Sequence, residues 1–383
     1  MVGAGQLARM THQAAIPLGQ SLKVLATSAE DPAALVAPNV ELGAHTDLEA
    51  LRTFARGCEA VTFDHEHVPG ELLRALESEG VAVRPGPDAL LHAQDKLVMR
   101  RRLTELGIPC PAFAPVDDVA DVLAFGDEHG WPCVLKAARG GYDGRGVWVL
   151  DSAEQARSTV AELLEAGTPL LVEQRAQLRR ELASVVARSP FGQGAAWPLT
   201  ETVQSEGICV QTLTPAPNAS PELADQAQDL ALTLAEQLGV VGVLAVELFE
   251  TADGLLVNEL AMRPHNSVHW TIEGARTSQF EQHLRAVLDY PLGSTELTAP
   301  AVVTANVLGA AEEPQMGVDE RVHHLYARFP HAKIHLYGKA ARPGRKIGHV
   351  TLLGEDAVEV RREAALAAHW LSRAEWPDGY EIH

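Results

Sequence analysis

Cysteine is scarce in this 383-residue chain. The four present (Cys58, Cys110, Cys133, Cys209) are scattered, with no C-x-x-C spacing of a metal or redox site. They read as reduced thiols of a cytoplasmic protein. Long apolar runs are missing too: the longest, VVGVLAV at 240–246, is far short of a membrane span. The chain opens without a basic segment leading into an apolar one, so no secretory leader is expected. Positive charge is in deficit. Lys and Arg number 31 against 51 Asp and Glu, for a net charge of −20. So acidic a surface repels nucleic acid and anionic lipid, and neither is expected as a partner. There is no Walker loop, internal repeat or low-complexity segment.

What is present is a globular composition, 46% hydrophobic and 21% charged, long enough for two or three domains. The first part alternates helix and strand signals: GQLARMTHQAAIPLG, LKVLAT, DLEALRTFARG, EAVTF and GELLRALESEG. That order predicts a parallel sheet covered by helices. RPGPDAL at 84–90 is a Pro/Gly break and a predicted boundary. A helix AQDKLVMRRRLTELG follows, then two short strands flanking a glycine loop like a hairpin, a helix at 153–166 and the strand PLLVEQ. Residues 180–290 predict a larger mixed sheet. Their best helix is 221–238, capped by Ser220, started by Pro221 and ended by Gly239. A strand AVVTANVLG and a helix at 357–373 close the chain.

Several stretches carry chemistry. In KAARGGYDGRG, a strand ends on Lys136 and runs into Gly140, Gly141, Gly144 and Gly146. Glycines let backbone N–H groups approach phosphate oxygens, and the lysine adds a point charge to them. A plain hairpin turn would need only one or two. In VGVLAVELFETADGLLVNELAMRPHNSVHW, two strands flank a turn at 252–254. A period of two puts Val243, Ala245, Glu247 and Phe249 on one face, and Leu255, Val257 and Glu259 on one face of the return strand. Glu247 then lies opposite Asn258 or Glu259. Two carboxylates about 5 Å apart repel and resist burial, which a divalent cation relieves, and oxygen-only ligands favour Mg²⁺ or Mn²⁺. The basic run KAARPGRK at 339–346 is either a solvated loop or an anion site. The opening G-x-G-x-x-A at Gly3, Gly5 and Ala8 reads as a tight turn, since Thr27 stands where a dinucleotide site needs an acid. His65, His67, His265 and His269 lack further ligands at zinc spacing; His265 and Asn266, next to Arg263, read as pocket residues.

Together these residues resemble the ATP-grasp superfamily, and within it the N5-carboxyaminoimidazole ribonucleotide synthetase family. GQLARM, VTFDHEHVP, KAARGGYDGRG, VEQ, NELAMRPHNSVHWT, SQFEQHLRA and RPGRKIGH stand in order through nearly the whole chain. The resemblance implies an α/β and α+β architecture: a Rossmann-like domain without NAD (1–87), an ATP-grasp domain (88–295, lid about 111–172) and a small strand-rich C-terminal domain (296–383). It implies ATP contacts at Lys96, Lys136, Gly141, Tyr142, Asp143, Gly144, Arg145, Gly146, Val147, Glu173, Gln174, Arg175, Ala176, Glu181, Gln204, Asn258 and Glu259, with Mg²⁺ on Glu247 and Glu259. It places Tyr142, Arg263, His265 and Asn266 at the reacting centre, and Glu66, Lys339, Arg345 and Lys346 at the ribonucleotide. The implied reaction is ATP-dependent carboxylation of 5-aminoimidazole ribonucleotide with bicarbonate, through carboxyphosphate, in a cytoplasmic homodimer. The alternatives are another ATP-grasp ligase, such as a formate-using glycinamide ribonucleotide transformylase, and a nucleotide-binding regulator without turnover.

The chain departs from the family in three places. Asp64 and Lys96 stand where relatives carry Glu and often Arg. Only Met1 and Val2 precede Gly3, where relatives have a full strand; the expectation is a later start than the native one, with neighbouring strands short of ladder partners.

Overall fold

The computed structural model describes residues 1–141 and 145–381. Near the N-terminus, strands Lys23–Ala26 and Asn39–Leu42 pair in parallel. Met1 and Val2 complete the next position. Val2 bridges Leu25 on one side and Phe63 on the other, Leu25 N–H donates to Met1 O at 3.1 Å, and Asp64 N–H donates to Val2 O at 2.9 Å. Two residues therefore supply ladder partners that the sequence was expected to lack. EAVTF is correspondingly reduced from the expected strand to single bridges at Val61 and Phe63.

The helix expected from Ala93 starts later, over Lys96–Glu105, because Asp95 turns extended and caps it with its own carboxylate. Behind it lies a four-stranded antiparallel sheet: Phe113–Val116, Leu170–Gln174, Cys133–Ala137 and Val147–Leu150, in that order. Alternation sorts its sides. Cys133, Leu135 and Leu150 are buried among apolar side chains from helices Val119–His129 and Ala153–Glu165. Val134, Lys136, Val147 and Val149 line a cleft.

The large sheet has nine strands. It runs from Gly254–Ala261 through Gly242–Thr251, Arg180–Arg188, Thr200–Ser205 and Ile208–Thr214 to Ala301–Leu308, Lys346–Gly354 and Lys333–Leu336. Strand Gly194–Ala196 pairs with Arg180–Arg188. The C-terminal strands thus extend the central sheet, with helix Ala357–Arg373 packed on them. Helix Pro221–Gln237 has the expected Ser220 cap, which accepts from Leu223 N–H.

Candidate active site

The two sheets face each other across a cleft of about 520 Å³. Pro111, Val134, Val147, Val149, Leu178 and Phe249 give it apolar walls, and Lys96, Lys136, Glu247, Asn258, Glu259, Arg263 and Lys346 its charge and polarity.

Glu247 and Glu259 are direct cross-strand partners. The register slips immediately after, so that Leu248 pairs with Val257 and Asn258 is the extra residue of a bulge. This corrects the expected face of the return strand. Leu255 and Val257 are buried in the core with Leu248, while Glu259 is turned to the cleft. The bulge also frees Asn258 to point there: its Oδ1 accepts from Lys136 Nζ at 3.1 Å, and Glu259 accepts from Lys96 Nζ at 2.7 Å. Glu247 is half-buried. Its enclosure, then the charges of Glu259 and Glu181, push its carboxyl up to about 7. Among the described residues no group of three or more His, Cys, Asp or Glu gathers in metal-binding geometry. The carboxylate pair would therefore hold a cation with further ligands from a bound phosphate.

Lys136 is the last residue but one of strand Cys133–Ala137, which runs one position beyond the expected strand end, and its ammonium is fixed by Glu173 at 2.7 Å. Glu173 is buried. Burial alone would raise its carboxyl, but Lys136 and Arg100 outweigh that and hold it below the usual range. Both of its oxygens are engaged inside the protein. Gly141 must be glycine, because a Cβ there would meet the Arg145 carbonyl at 2.7 Å. Tyr142, Asp143 and Gly144 lie outside the described residues. Gly141, Val147, Gln174, Arg175, Ala176, Glu181 and Gln204 line the cleft. Arg145 is exposed and Gly146 half-buried; neither is among the cleft-lining residues.

At the other end, Arg263 forks onto Glu66, Nε at 2.7 Å and Nη2 at 3.3 Å. Burial would raise the Glu66 carboxyl, yet the guanidinium charge and hydrogen bonds bring it down to about 2. His265 Nδ1 accepts from Ser267, Oγ at 2.8 Å and N–H at 3.4 Å, so its proton sits on Nε2, 3.4 Å from Glu247 Oε1. Burial, and then the charges of Arg263 and Lys346, lower its pKa to about 3, so it stays neutral. The Asn266 amide nitrogen also lines this end and is buried without a hydrogen-bond partner. Lys346 belongs to the same wall, but Lys339 and Arg345 are not brought to it. Lys339 donates to Gln6, and Arg345 to Ala340 O at 3.2 Å within its own loop.

Two supporting residues escaped sequence reasoning. Arg100, fully buried, reaches Glu173 and the carbonyls of Val257 and Asn258. Its place in the run Arg100–Arg101–Arg102 gave no sign of this. Gln279 accepts from His265 N–H at 2.6 Å and donates to His265 O at 2.8 Å. Its signal was present: a glutamine on the otherwise core-facing side of helix Gln279–Val287. Asp64 has a local task. It accepts from Gly5 N–H at 2.5 Å and Ala8 N–H at 3.1 Å, capping helix Gln6–Ala15, whose own N-cap glycine has no side chain. A Cβ on Gly5 would stand 2.5 Å from that carboxylate, which accounts for the second glycine of the opening motif.

A small antiparallel sheet closing over a large one, with lysines and paired carboxylates between them, is an ATP-grasp arrangement. The ATP-grasp domain family matches residues 101–280. It is flanked by the ribonucleotide synthetase preATP-grasp domain at 1–94 and the phosphoribosylaminoimidazole carboxylase C-terminal domain at 302–363. The N5-carboxyaminoimidazole ribonucleotide synthase of Mycobacterium tuberculosis is 62% identical over 384 residues, covering 100% of this chain and 90% of that protein. Among solved structures, the synthetase from Thermus thermophilus superposes with a TM-score of 0.85 at 38% identity, covering 100% of both chains. The Aspergillus clavatus synthase in complex with ADP and 5-aminoimidazole ribonucleotide does so with 0.85 at 32%, covering 97% of this chain and 98% of that one. The chain belongs to the N5-carboxyaminoimidazole ribonucleotide synthase family.

Proposed function

We propose that the protein uses ATP to carboxylate the amine of 5-aminoimidazole ribonucleotide with bicarbonate, releasing ADP and phosphate in purine biosynthesis. The observation that carries this reading is the Glu247–Glu259 pair, met by Lys96 and faced by His265, in one cleft with Lys136, Arg263 and Lys346. ATP would lie between the sheets, its base against Val134, Val149 and Phe249 and its phosphates at Lys96, Lys136 and the glycine loop. Glu247 and Glu259 would hold Mg²⁺ or Mn²⁺, which neutralises charge on the transferring phosphoryl group.

The chain's own residues divide the remaining work. Lys136, fixed by Glu173 and Asn258, presents one charge to the phosphates. The Arg263–Glu66 fork and neutral His265 bound the end where bicarbonate would be activated. Neutral His265 can donate its Nε2 proton in a hydrogen bond without competing as a cation. The partnerless Asn266 amide is a donor ready for a substrate oxygen. Bicarbonate would attack the γ-phosphorus to give carboxyphosphate and ADP, and the amine would then take the carboxyl carbon and expel phosphate. Closure over the cleft keeps that water-labile intermediate dry. Lys346 faces the anionic ribonucleotide. The three-unit division at 87/88 and 295/296 and a cytoplasmic homodimer follow from the resemblance alone.

The test is ADP formation with each substrate withheld in turn. The reading expects fast turnover only with ATP, bicarbonate and the ribonucleotide together. Stimulation by formate and glycinamide ribonucleotide instead would favour the other ligase.

A further inference from the structure

Arg100 is fully buried at the middle of helix Lys96–Glu105. Its guanidinium spends all three nitrogens on three acceptors from two sheets: Nε on Glu173 Oε1 at 2.7 Å, Nη1 on Val257 O at 3.0 Å and Nη2 on Asn258 O at 2.8 Å. Glu173 belongs to the small sheet and Val257 and Asn258 to the large one. The two carbonyls belong to the bulge and the residue before it, so they set the twist that turns Asn258 and Glu259 to the cleft. The other oxygen of Glu173 holds Lys136, and Lys136 returns to the Asn258 side chain. The four residues close a ring.

The same helix is tied to the glycine loop at its first turn. Lys96 N–H donates to Ala138 O at 2.9 Å, and Arg139 pairs with Asp95 at 2.8 Å. A buried ion pair does not by itself stabilise a fold. A planar fork that meets a carboxylate and two carbonyls at once does fix geometry, and a lysine at the same place cannot reproduce it.

We propose that Arg100 is a positioning residue for this reaction: through the closed ring it sets Lys136 and the Asn258–Glu259 bulge in one frame, so that nucleotide phosphate and its cation are met together. The inference rests on the function proposed above and assigns a role to a residue that touches neither ligand.

The experiment is calorimetric titration of ADP with and without Mg²⁺, on the parent and on Arg100→Lys. The parent should bind ADP more tightly with Mg²⁺ than without. Arg100→Lys keeps a cation beside Glu173 and should bind ADP without Mg²⁺ within about threefold of the parent, while the Mg²⁺-dependent gain falls about tenfold or more, as for other outer-shell partners. Its KM for the ribonucleotide should stay within about twofold, because the three acceptors of Arg100 are Glu173, Val257 and Asn258 and none belongs to the Arg263, His265 and Lys346 end. A folded Arg100→Lys with the full Mg²⁺ gain overturns the inference. The double variant Arg100→Met, Glu173→Gln removes the buried charge pair and leaves Lys136 an amide oxygen in place of the carboxylate that held it. It should fold and lose the gain as well; a folded double variant that retains it is equally contrary. A parent without any Mg²⁺ gain contradicts the reading of the site itself, and the inference with it.

Discussion

Glu247 and Glu259 face each other across two antiparallel strands, and Lys96 reaches the second at 2.7 Å. The pair is held by the register of the sheet, so its charge can be changed without changing the fold. Glu259→Gln keeps the shape and removes one negative charge. It is expected to lower kcat about 100-fold, in the range for losing a group aimed at transition-state charge, with an unchanged melting temperature. Steady-state rates across a Mg²⁺ titration check this. Near-parent activity at limiting Mg²⁺ would remove Glu259 from the metal site.

The same pair predicts a pH dependence. The Glu247 carboxyl is raised from 4.5 to about 7. Between those values the folded state binds more protons than the unfolded chain, so without ligand this group favours folding at low pH and loses that contribution as pH rises to about 7. A cation needs the ionised form. Apparent Mg²⁺ affinity, read from the melting shift with ADP present, should therefore weaken from pH 8 to pH 6. An affinity unchanged between pH 8 and pH 6 would mean that Glu247 is ionised throughout.

Asp64 gives a stability prediction away from the cleft. Asp64→Ala strands the Gly5 and Ala8 N–H groups at a helix start and should cost about 1–2 kcal/mol. Gly5→Ala should also destabilise, because its new methyl occupies the carboxylate's place. Denaturant melts of both variants decide it, and parent-like stability in Asp64→Ala would show that the cap contributes nothing.

The basic loop is expected to divide. Lys346 lines the cleft, while Arg345 binds its own loop. Lys346→Ala should raise KM for the ribonucleotide about tenfold and leave ADP binding unaltered; Arg345→Ala should have the smaller effect. A charge-assisted hydrogen bond of about 1.5–3 kcal/mol sets that scale. Loss of ADP affinity in Lys346→Ala would move the residue to the nucleotide end.

Much of this site could be read from local pattern. Lys136 before a glycine loop stands in the sequence itself, and a period of two with a short turn brings Glu247 opposite Asn258 or Glu259, of which Glu259 is the partner. What could not be read depends on segments meeting over distance. The bulge at Asn258 needs a strand that a plain period of two cannot distinguish from a regular one, so Val257 was expected on the wrong face. Arg100 acquires its role only when Glu173 and the Val257 carbonyl arrive from two sheets. Asp64 caps a helix nearly 60 positions earlier in the chain. The C-terminal strands join the central sheet through Ala301–Leu308 against Ile208–Thr214, a pairing that no local signal carries.

The measurement that bears most directly on the proposed reaction follows oxygen. With bicarbonate labelled in ¹⁸O, attack on the γ-phosphorus makes a bicarbonate oxygen the bridge of carboxyphosphate, and expulsion leaves it on phosphate. Mass spectrometry of the phosphate should find one ¹⁸O per turnover, with labelled carboxyl on the ribonucleotide product. Phosphate free of label, or ADP formation indifferent to the ribonucleotide, would contradict the account.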